Sequence, residues 1–580
     1  MTLLDKSYLD SSQKLLEYAS SPQSNHTEVI SFADIKLKDT GDESWALPKA
    51  FSLWQLSRPQ QAMCALDIAQ AVCSNDPNFH MLRGVIARQL PNNTGYTIAL
   101  QAYRTAIRIS PGRADAYYCL ANLVSDTDIP YSESLYRRSI ELDPSQHLAW
   151  HNLGRMICFD DRPETAMPLL RQAVTLDPTY ADGWCNLGLS WLAIQEYDKA
   201  LCCFYQAISL DSSHGATHIN IGNALISKLE PDAALKYLER GAELESSSSN
   251  SLWNLSLCYL LLGRFSEGWK LYESRYQTDM FDAVHIPTSG PKISDLKQLI
   301  SSSDRGVVVW AEQGMGDSIQ FFRYLYLLSS LGIPFEFHCR HQLLRLFNEW
   351  SPFSNSIVQE RSTDPSVDIR PHISLMSLPM IFDTQLHSVP SSVPYLKPNI
   401  SIPEHLQIEQ PPGGLSVGLV WASNPDNKAM YKSKSVPLSL LMPLFNKLLD
   451  LDLIHLHCLQ FGSDVSQLQP WLREGVTNWS DRLDDFSETS HVLNQLDLVV
   501  SVDTAVAHLA GSLNIPTWLL LPDNADFRWL RHIDYSPWYP SMRLFRQSHR
   551  GDWQSVYSQL LEAFSELTLL NLNTFPETSL

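Results

Sequence analysis

Three side chains that could take part in binding a phosphate group lie together in the segment SVDTAVAHLAGSL, directly after the apolar run LDLVV. They are Asp503, Thr504 and His508. The apolar run predicts a buried strand and the next segment predicts a helix. We therefore expect these side chains at the junction between the end of the strand and the start of the helix. A helix start presents unpaired N–H groups and partial positive charge, which favour phosphate. A purely structural role is the alternative, with Asp503 capping the helix and His508 buried in the core.

A second carboxylate follows another predicted strand, in the segment WAEQGMGDS at residues 310–318. Gly314 and Gly316 permit close backbone approach, and Gln313 belongs to the same loop. Asp317 stands near the start of the next predicted helix. The spacing is neither the dinucleotide-binding fingerprint nor a P-loop. Asp317 is therefore either a helix cap or a general base that acts on a ligand in a cleft.

A basic loop follows a third predicted strand, which lies within LSVGLVWA at residues 415–422. The loop contains Asn424 and the lysines Lys428, Lys432 and Lys434. Three lysines after a strand end, on a chain that is acidic overall, favour an anionic ligand.

The second half of the chain alternates short apolar runs with helical stretches. This alternation predicts an α/β class with parallel sheets and helices on both faces. Two consecutive sets, residues 305–410 and 411–570, suggest twin Rossmann-like lobes with a cleft between them, the second ending in a helix. Ligands of such sheets bind at the carboxyl ends of the strands. A connector at 280–304 precedes the lobes and a tail at 571–580 follows them.

The first half repeats itself every 34 residues. Each unit predicts two helices that end near a proline, and the pattern resembles the tetratricopeptide repeat. About six units fit within residues 46–279, after a helical or partly disordered leader at 1–45. Such an α-solenoid is expected to bind a protein partner on its concave face, or else to support or dimerise the second half. The clearest matches are AWHNLG at 149–154, GWCNLG at 183–188, THINIG at 217–222 and SLWNLS at 251–256.

Composition narrows the possible partners and location. The 580 residues carry a net charge of −20, which argues against nucleic acid as the main partner. The ten cysteines are scattered without a CxxC pair, as in a reducing compartment. The N-terminal residues do not read as a signal peptide, and no transmembrane segment is expected. These features predict a cytoplasmic protein.

Several segments together resemble a known family. They include VVVWAEQGMGDSIQFFRYLYLL, VGLVWASN and LDLVVSVDTAVAHLAGSLNIPTWLLLPDNADFRWL. They are similar to bacterial proteins in which tetratricopeptide repeats are fused to a glycosyltransferase domain of the heptosyltransferase (ADP-heptose:lipopolysaccharide) type. A more distant similarity is to the O-linked N-acetylglucosamine transferases. The resemblance spans residues 46 to 570 and implies a GT-B fold, with a nucleotide-sugar donor held mainly by the second lobe.

The resemblance also implies roles for individual residues. Asp317 matches the candidate base of the first lobe. The residues implied at the donor are Asp503, Thr504, Ala505 and His508 around the diphosphate, Lys432 or Lys434 as its counter-charge, and Gln460 near the nucleoside.

These expectations define an enzyme that transfers a sugar from a nucleotide-sugar donor to a hydroxyl group of a protein or glycan. The helix start, Thr504 and Lys434 would stabilise the leaving diphosphate, so neither a metal nor another cofactor is expected. The resemblance implies inversion at the anomeric carbon. The alternative is a non-catalytic repeat scaffold with a degenerate nucleotide-binding domain.

Overall fold

The structure is a computed structural model that describes residues 11–91, 93–278, 281, 286–302, 304–312, 314–359, 368–398, 401–409 and 414–568. The chain divides into two compact units, with the division between Ser213 and His214. The predicted domain limits stay predictions. Among the described residues, no helix has both the length and the apolar character that a bilayer crossing requires.

The first unit consists of helices in which each helix packs on its neighbour in the sequence. The predicted helical repeat is confirmed, because the helices alternate with short turns at the expected period. Its helices are α1 (Ser12–Ala19), α2 (His26–Thr40), α3 (Ala46–Gln55), α4 (Pro59–Cys73), α5 (Pro77–Ala87), α6 (Asn93–Ile109), α7 (Ala114–Val124), α8 (Ile129–Leu142), α9 (His147–Phe159), α10 (Pro163–Leu176), α11 (Ala181–Ala193) and α12 (Tyr197–Leu210).

Glycines set the close approach within each helix pair. A methyl group at Gly154 of α9 would lie 2.7 Å from Cγ of Leu170 on α10. At the next repeat, a methyl group at Gly188 would lie 2.5 Å from the ring of Phe204. A large residue on one helix thus fills the space that glycine leaves on the other. This packing explains why the two positions have the same spacing in both repeats.

The second unit begins with two more helix pairs and continues into the sheets. Trp269, on the last of these helices, contacts Phe321 and Phe527 with ring centroids 6.0 and 5.8 Å apart. These two phenylalanines come from the parts of the chain that carry the first and the second sheet. The last helix pair therefore shares a core with both sheets. The helices are α13 (Gly215–Ser227), α14 (Pro231–Leu244), α15 (Ser249–Leu261) and α16 (Phe265–Tyr272).

The first sheet has four parallel strands in the order β3-β2-β1-β4. The segments GVVVWA at 306–311 and FEFHC at 335–339 predict strands, and both predictions are confirmed. The amphipathic pattern of residues 319–332 predicts a single helix, and this prediction is wrong, because two helices form there. The side chain of Arg323 donates to the carbonyl of Gln320 at 2.8 Å at the break between them. The elements are α17 (Leu296–Ser301), β1 (Val307–Trp310), α18 (Met315–Phe321), α19 (Tyr324–Ser330), β2 (Phe335–Cys339), α20 (His341–Trp350), β3 (Ile357–Gln359), β4 (His372–Ser374) and α21 (Leu378–Ile381).

The second sheet has six parallel strands in the order β10-β9-β8-β5-β6-β7. Its strands bury most of their side chains, with the short edge strand β7 as the exception, in agreement with the predicted α/β class. The elements are β5 (Leu415–Val420), α22 (Lys428–Lys434), α23 (Leu438–Asp450), β6 (Ile454–Cys458), β7 (Val476–Asn478), α24 (Phe486–Leu493), β8 (Leu498–Val502), α25 (Ala505–Ser512), β9 (Thr517–Leu521), β10 (Met542–Arg546) and α26 (Trp553–Thr568).

Candidate functional site

Both sheets reverse their strand order at one point, and the candidate residues lie there. In the first sheet the reversal falls between β1 and β4, and in the second between β5 and β8. The loops at the carboxyl ends of these strands diverge and leave a crevice in which α/β proteins bind ligands. Asp317 follows β1, and Asp503 follows β8. The topology thus places the two predicted carboxylates at the two expected crevices.

Helix α25 begins without a side-chain cap. Its N-cap residue is Thr504, which has an extended backbone, and no side chain accepts a hydrogen bond from the first turn. The Thr504 hydroxyl lies 3.3 Å from the hydroxyl of Ser501. The predicted structural alternative, in which Asp503 caps the helix, is therefore not what the chain adopts. The first N–H groups of α25 stay available to an anion.

Asp503 forms a buried ion pair with Lys434. Its Oδ2 lies 2.6 Å from Nζ of Lys434, and the two side chains are 8% and 14% exposed. Burial raises the pKa of Asp503, but the charge of Lys434 outweighs burial, so the pKa lies below its ordinary value. Lys432 is exposed. Of the two lysines that the sequence could not separate, Lys434 is the one at the site.

His508 is buried beside the same carboxylate. Its Nε2 lies 3.8 Å from Oδ1 of Asp503, and its side chain is 6% exposed. Nδ1 is hydrogen-bonded to the hydroxyl of Tyr539 at 3.0 Å, and the ring stacks on Trp529 at 5.3 Å. Burial lowers the pKa of His508 to about 4, against the opposing charge of Asp503. The imidazole is therefore neutral at pH 7.

Asp317 does not cap its helix either. The N-cap residue of α18 is Gly314, and no side chain caps it. Instead, Oδ1 of Asp317 accepts a hydrogen bond from Nη2 of Arg528 at 2.6 Å. The Asp317 side chain is 31% exposed and that of Arg528 is 10% exposed. Asp317 thus lies at the open side of a largely buried ion pair.

The start of α18 packs directly on α25. A methyl group at Gly316 would lie 2.9 Å from Cδ2 of His508 and 3.6 Å from Cα of Ala505. Only glycine permits this contact without displacing the imidazole. The predicted close approach is thus realised, and it brings Asp317, the neighbour of Gly316, next to the Asp503, Thr504 and His508 group.

Arg528 is the site residue that the sequence interpretation missed. It lies in the short 3₁₀ helix Phe527–Trp529. Besides Asp317, it donates to Oδ1 of Asp526 at 2.7 Å and to Oε1 of Gln320 at 2.9 Å. Burial lowers the pKa of Arg528, but Asp317 and Asp526 outweigh it and raise the pKa. The only sequence signal was its position within a segment that carries the family resemblance.

Three of the predicted donor-binding residues do not join this group: Gln460, Asn424 and the exposed Lys432. Gln460 bonds only to backbone: its Oε1 accepts from the N–H groups of Trp421 and Ala422, and its Nε2 donates to two carbonyls. Its amide has no capacity left for a nucleoside. Asn424 is exposed and bonds to the backbone N–H of Asp426. Gln313 lies outside the described residues.

A second buried network supports the end of β1. Glu312, two residues after the strand, pairs with Arg275 at 2.5 Å, and Arg275 also pairs with Glu273 at 2.9 Å. The Arg275 side chain is 4% exposed. It follows α16, so the last helical repeat supplies the cation that neutralises the loop leading to Asp317.

Comparisons with known proteins give limited matches. No protein-family model matches the chain. A stretch of 333 residues is 24% identical to Protein FlbA of Caulobacter vibrioides and covers 53% of each chain. The chain therefore spans about half the length of this curated relative.

Several solved structures also resemble part of the chain. MamA protein is 24% identical, covering 30% of this chain and 94% of its own, with a TM-score of 0.27. YrrB, described as a TPR protein with an unusual peptide-binding site, is 20% identical, covering 32% and 96%, with a TM-score of 0.28. PilF of Pseudomonas aeruginosa is 19% identical, covering 36% and 95%, with a TM-score of 0.32. The function of the second unit must be argued from its own residues.

Proposed function

We propose that the chain is a glycosyltransferase whose two sheets form the lobes of a GT-B enzyme. It transfers a sugar from a nucleotide-sugar donor to a hydroxyl group of a protein or glycan. One observation carries the proposal: α18, which bears Asp317, packs on α25, which bears His508 and starts beside Asp503. An acid and an anion-binding group thus come from different sheets and meet at the strand ends of both.

The donor is assigned to the second lobe. When the glycosidic bond breaks, its electron pair goes to the diphosphate, which gains negative charge. The N–H groups at the start of α25, the Thr504 hydroxyl and Lys434 stabilise that charge. No metal ion is invoked in this scheme. Gln460 and Asn424 are left out of the donor site on the grounds of their backbone hydrogen bonds and exposure.

The acceptor is assigned to the side of Asp317. Its carboxylate takes the proton of the acceptor hydroxyl while the hydroxyl oxygen bonds to the anomeric carbon. The diphosphate leaves from the opposite face, so the configuration inverts. The exposed side of Asp317 is where such a hydroxyl can arrive.

The repeats are assigned to a protein partner, either the acceptor itself or a protein that delivers it. The support is general: stacked helix pairs present an extended surface that suits peptides and proteins.

One observation favours the second candidate function, a non-catalytic scaffold. Three carboxylates, Asp317, Asp503 and Asp526, face only two cations, Lys434 and Arg528. At neutral pH these five side chains carry one net negative charge, which opposes a diphosphate. In that case the repeats recruit partners and the sheets serve as a support.

The experiment that separates the two functions is a thermal-shift screen of UDP-, ADP-, GDP- and CMP-sugars, followed by assays of donor hydrolysis and sugar transfer. A transferase is stabilised by one donor. Asp317→Asn should then lower transfer by about 100-fold or more while donor binding persists. Absence of any shift with all four classes would favour the scaffold, and unchanged transfer by Asp317→Asn would refute the role of Asp317.

A further inference from the structure

Arg528 makes three side-chain hydrogen bonds, two of them to residues of α18. Its Nη2 bonds to Asp317 and its Nε bonds to Gln320, one turn further along the same helix. Its remaining Nη1 bonds to Asp526, which belongs to its own loop. A guanidinium is planar and rigid, so the three bonds fix the direction in which Asp317 points.

The hydrogen bond from Arg528 occupies one carboxylate oxygen of Asp317. The bond from Arg528 goes to Oδ1. The other oxygen, Oδ2, lies on the side of Gly314, where a methyl group would come within 2.2 Å of it. Glycine thus leaves room for the orientation that the arginine imposes.

Arg528 makes its hydrogen bonds away from the donor group, although its charge also acts on Asp503 and His508. Its hydrogen bonds go to Asp317, Gln320 and Asp526, whereas Asp503 is paired with Lys434 at 2.6 Å. The side chain of Arg528 is 10% exposed. Its direct contacts therefore serve the carboxylate of the first lobe, and Lys434 serves the second.

We infer that Arg528 is a positioning residue for Asp317: it holds one carboxylate oxygen so that the other faces the acceptor hydroxyl. The inference rests on the proposed function. It assigns the second lobe a part in acceptor activation, besides donor binding, because the arginine that orients the base comes from the loop after β9.

Kinetics of Arg528→Gln and Arg528→Lys test the inference. Both variants should lower kcat by about 100-fold, the cost of a misplaced reacting group. Because Arg528→Lys keeps the positive charge near Asp503, it should leave the calorimetric Kd for the donor unchanged. Arg528→Lys keeps the positive charge but loses the planar guanidinium that donates several hydrogen bonds in a fixed geometry. If its kcat is as low as that of Arg528→Gln, the loss of kcat is due to geometry and not to charge. Arg543→Gln is the matched control, because this arginine of the same lobe is 47% exposed and pairs with Glu566 at 3.5 Å instead of with Asp317.

A double-mutant cycle excludes a merely structural role. In the Asp317→Asn background, Arg528→Gln should cause no further loss of kcat, because the arginine acts through the carboxylate. Additive losses, or loss of donor binding in Arg528→Lys, would overturn the inference. If Arg528→Gln does not fold, the lysine variant decides by the same criteria. A wild-type protein without transfer activity would refute the proposed function itself, so the two failures are distinguishable.

Discussion

The carboxylate of Asp317 and the guanidinium of Arg528 meet at 2.6 Å although 211 positions separate them in the chain. The pair joins the loop after β1 of the four-stranded sheet to the loop after β9 of the six-stranded sheet. No local spacing encodes such a pair, yet it decides where the candidate base points.

A methyl group at Gly314 should disturb Asp317 without removing it. In Gly314→Ala the new carbon would lie 2.2 Å from Oδ2, so the carboxylate has to rotate away. We expect kcat to fall about 100-fold with donor binding retained, measured by steady-state kinetics and calorimetry. Gly112→Ala is the matched control, because nothing lies within 4 Å of a methyl group there. Full activity of Gly314→Ala would contradict this orientation of Asp317.

The two lysines of α22 should differ sharply in donor binding. Lys434→Gln removes the partner of Asp503 and should weaken binding by about tenfold or more, the scale of a charged hydrogen bond. It also leaves Asp503 buried and unpaired, so Tm should fall. Adding Asp503→Asn should restore Tm but not binding.

Lys432→Gln is the internal control for this experiment, since Lys432 is exposed. It should match the wild type in both calorimetry and thermal melting. Equal losses in the two single variants would show that the lysines act only as a diffuse basic patch.

Substitution of a glycine at a helix–helix contact should destabilise the repeats. In Gly188→Ala the added methyl group would lie 2.5 Å from the ring of Phe204, and overpacking of this kind costs about 1–3 kcal/mol. Denaturant unfolding followed by circular dichroism measures the loss. Gly112→Ala again serves as the control, and equal stability of the two variants would mean that the helix pair absorbs the extra volume.

Besides His508, two buried histidines outside the candidate site should make stability depend on pH. His372 and His457 each accept a hydrogen bond at Nδ1 from a tryptophan indole, at 3.2 and 3.1 Å, and burial lowers the pKa of both to about 4. The unfolded chain therefore binds more protons between about pH 6.5 and pH 4. Stability should fall on acidification through this window by at most about 1.4 kcal/mol per pH unit for each histidine.

Thermal melts at pH 7 and pH 5 measure this effect. His457→Gln should reduce the difference in Tm between the two conditions. Replacement of His549, whose side chain is 77% exposed, is the control and should leave the difference as in the wild type. The same pH dependence in all three proteins would show that other groups govern acid unfolding.

The sequence predicted the longer elements and the strand ends well. The segments that became β1, β5, β8 and β9 are mainly apolar, and those that became β2 and β6 alternate apolar with polar residues; both patterns are local signals. The short strands β3, β4 and β7 have three residues each and offer too little pattern to recognise. The basic stretch predicted as a loop forms α22, whose start Asn427 caps by accepting from the N–H of Met430.

The candidate site was predictable only in part. Residues next to a strand end, such as Asp503 and Asp317, follow from topology. Lys432 and Lys434 could not be separated until the helix was known, because residues two apart on a helix point to different sides. Arg528 and the backbone bonds of Gln460 depend on tertiary contacts that no window of sequence contains.

The buried ion pair of Arg275 affects where the repeats can be exchanged without loss of contacts to the sheets. Arg275 follows α16 and neutralises Glu312 at the foot of the first sheet, and residues from His214 onward form one compact unit. A crossover at residue 279 would separate a carboxylate from its partner and strip the aromatic cover of both sheets. A junction between Ser213 and His214 would keep the last two helix pairs with both sheets and preserve these contacts.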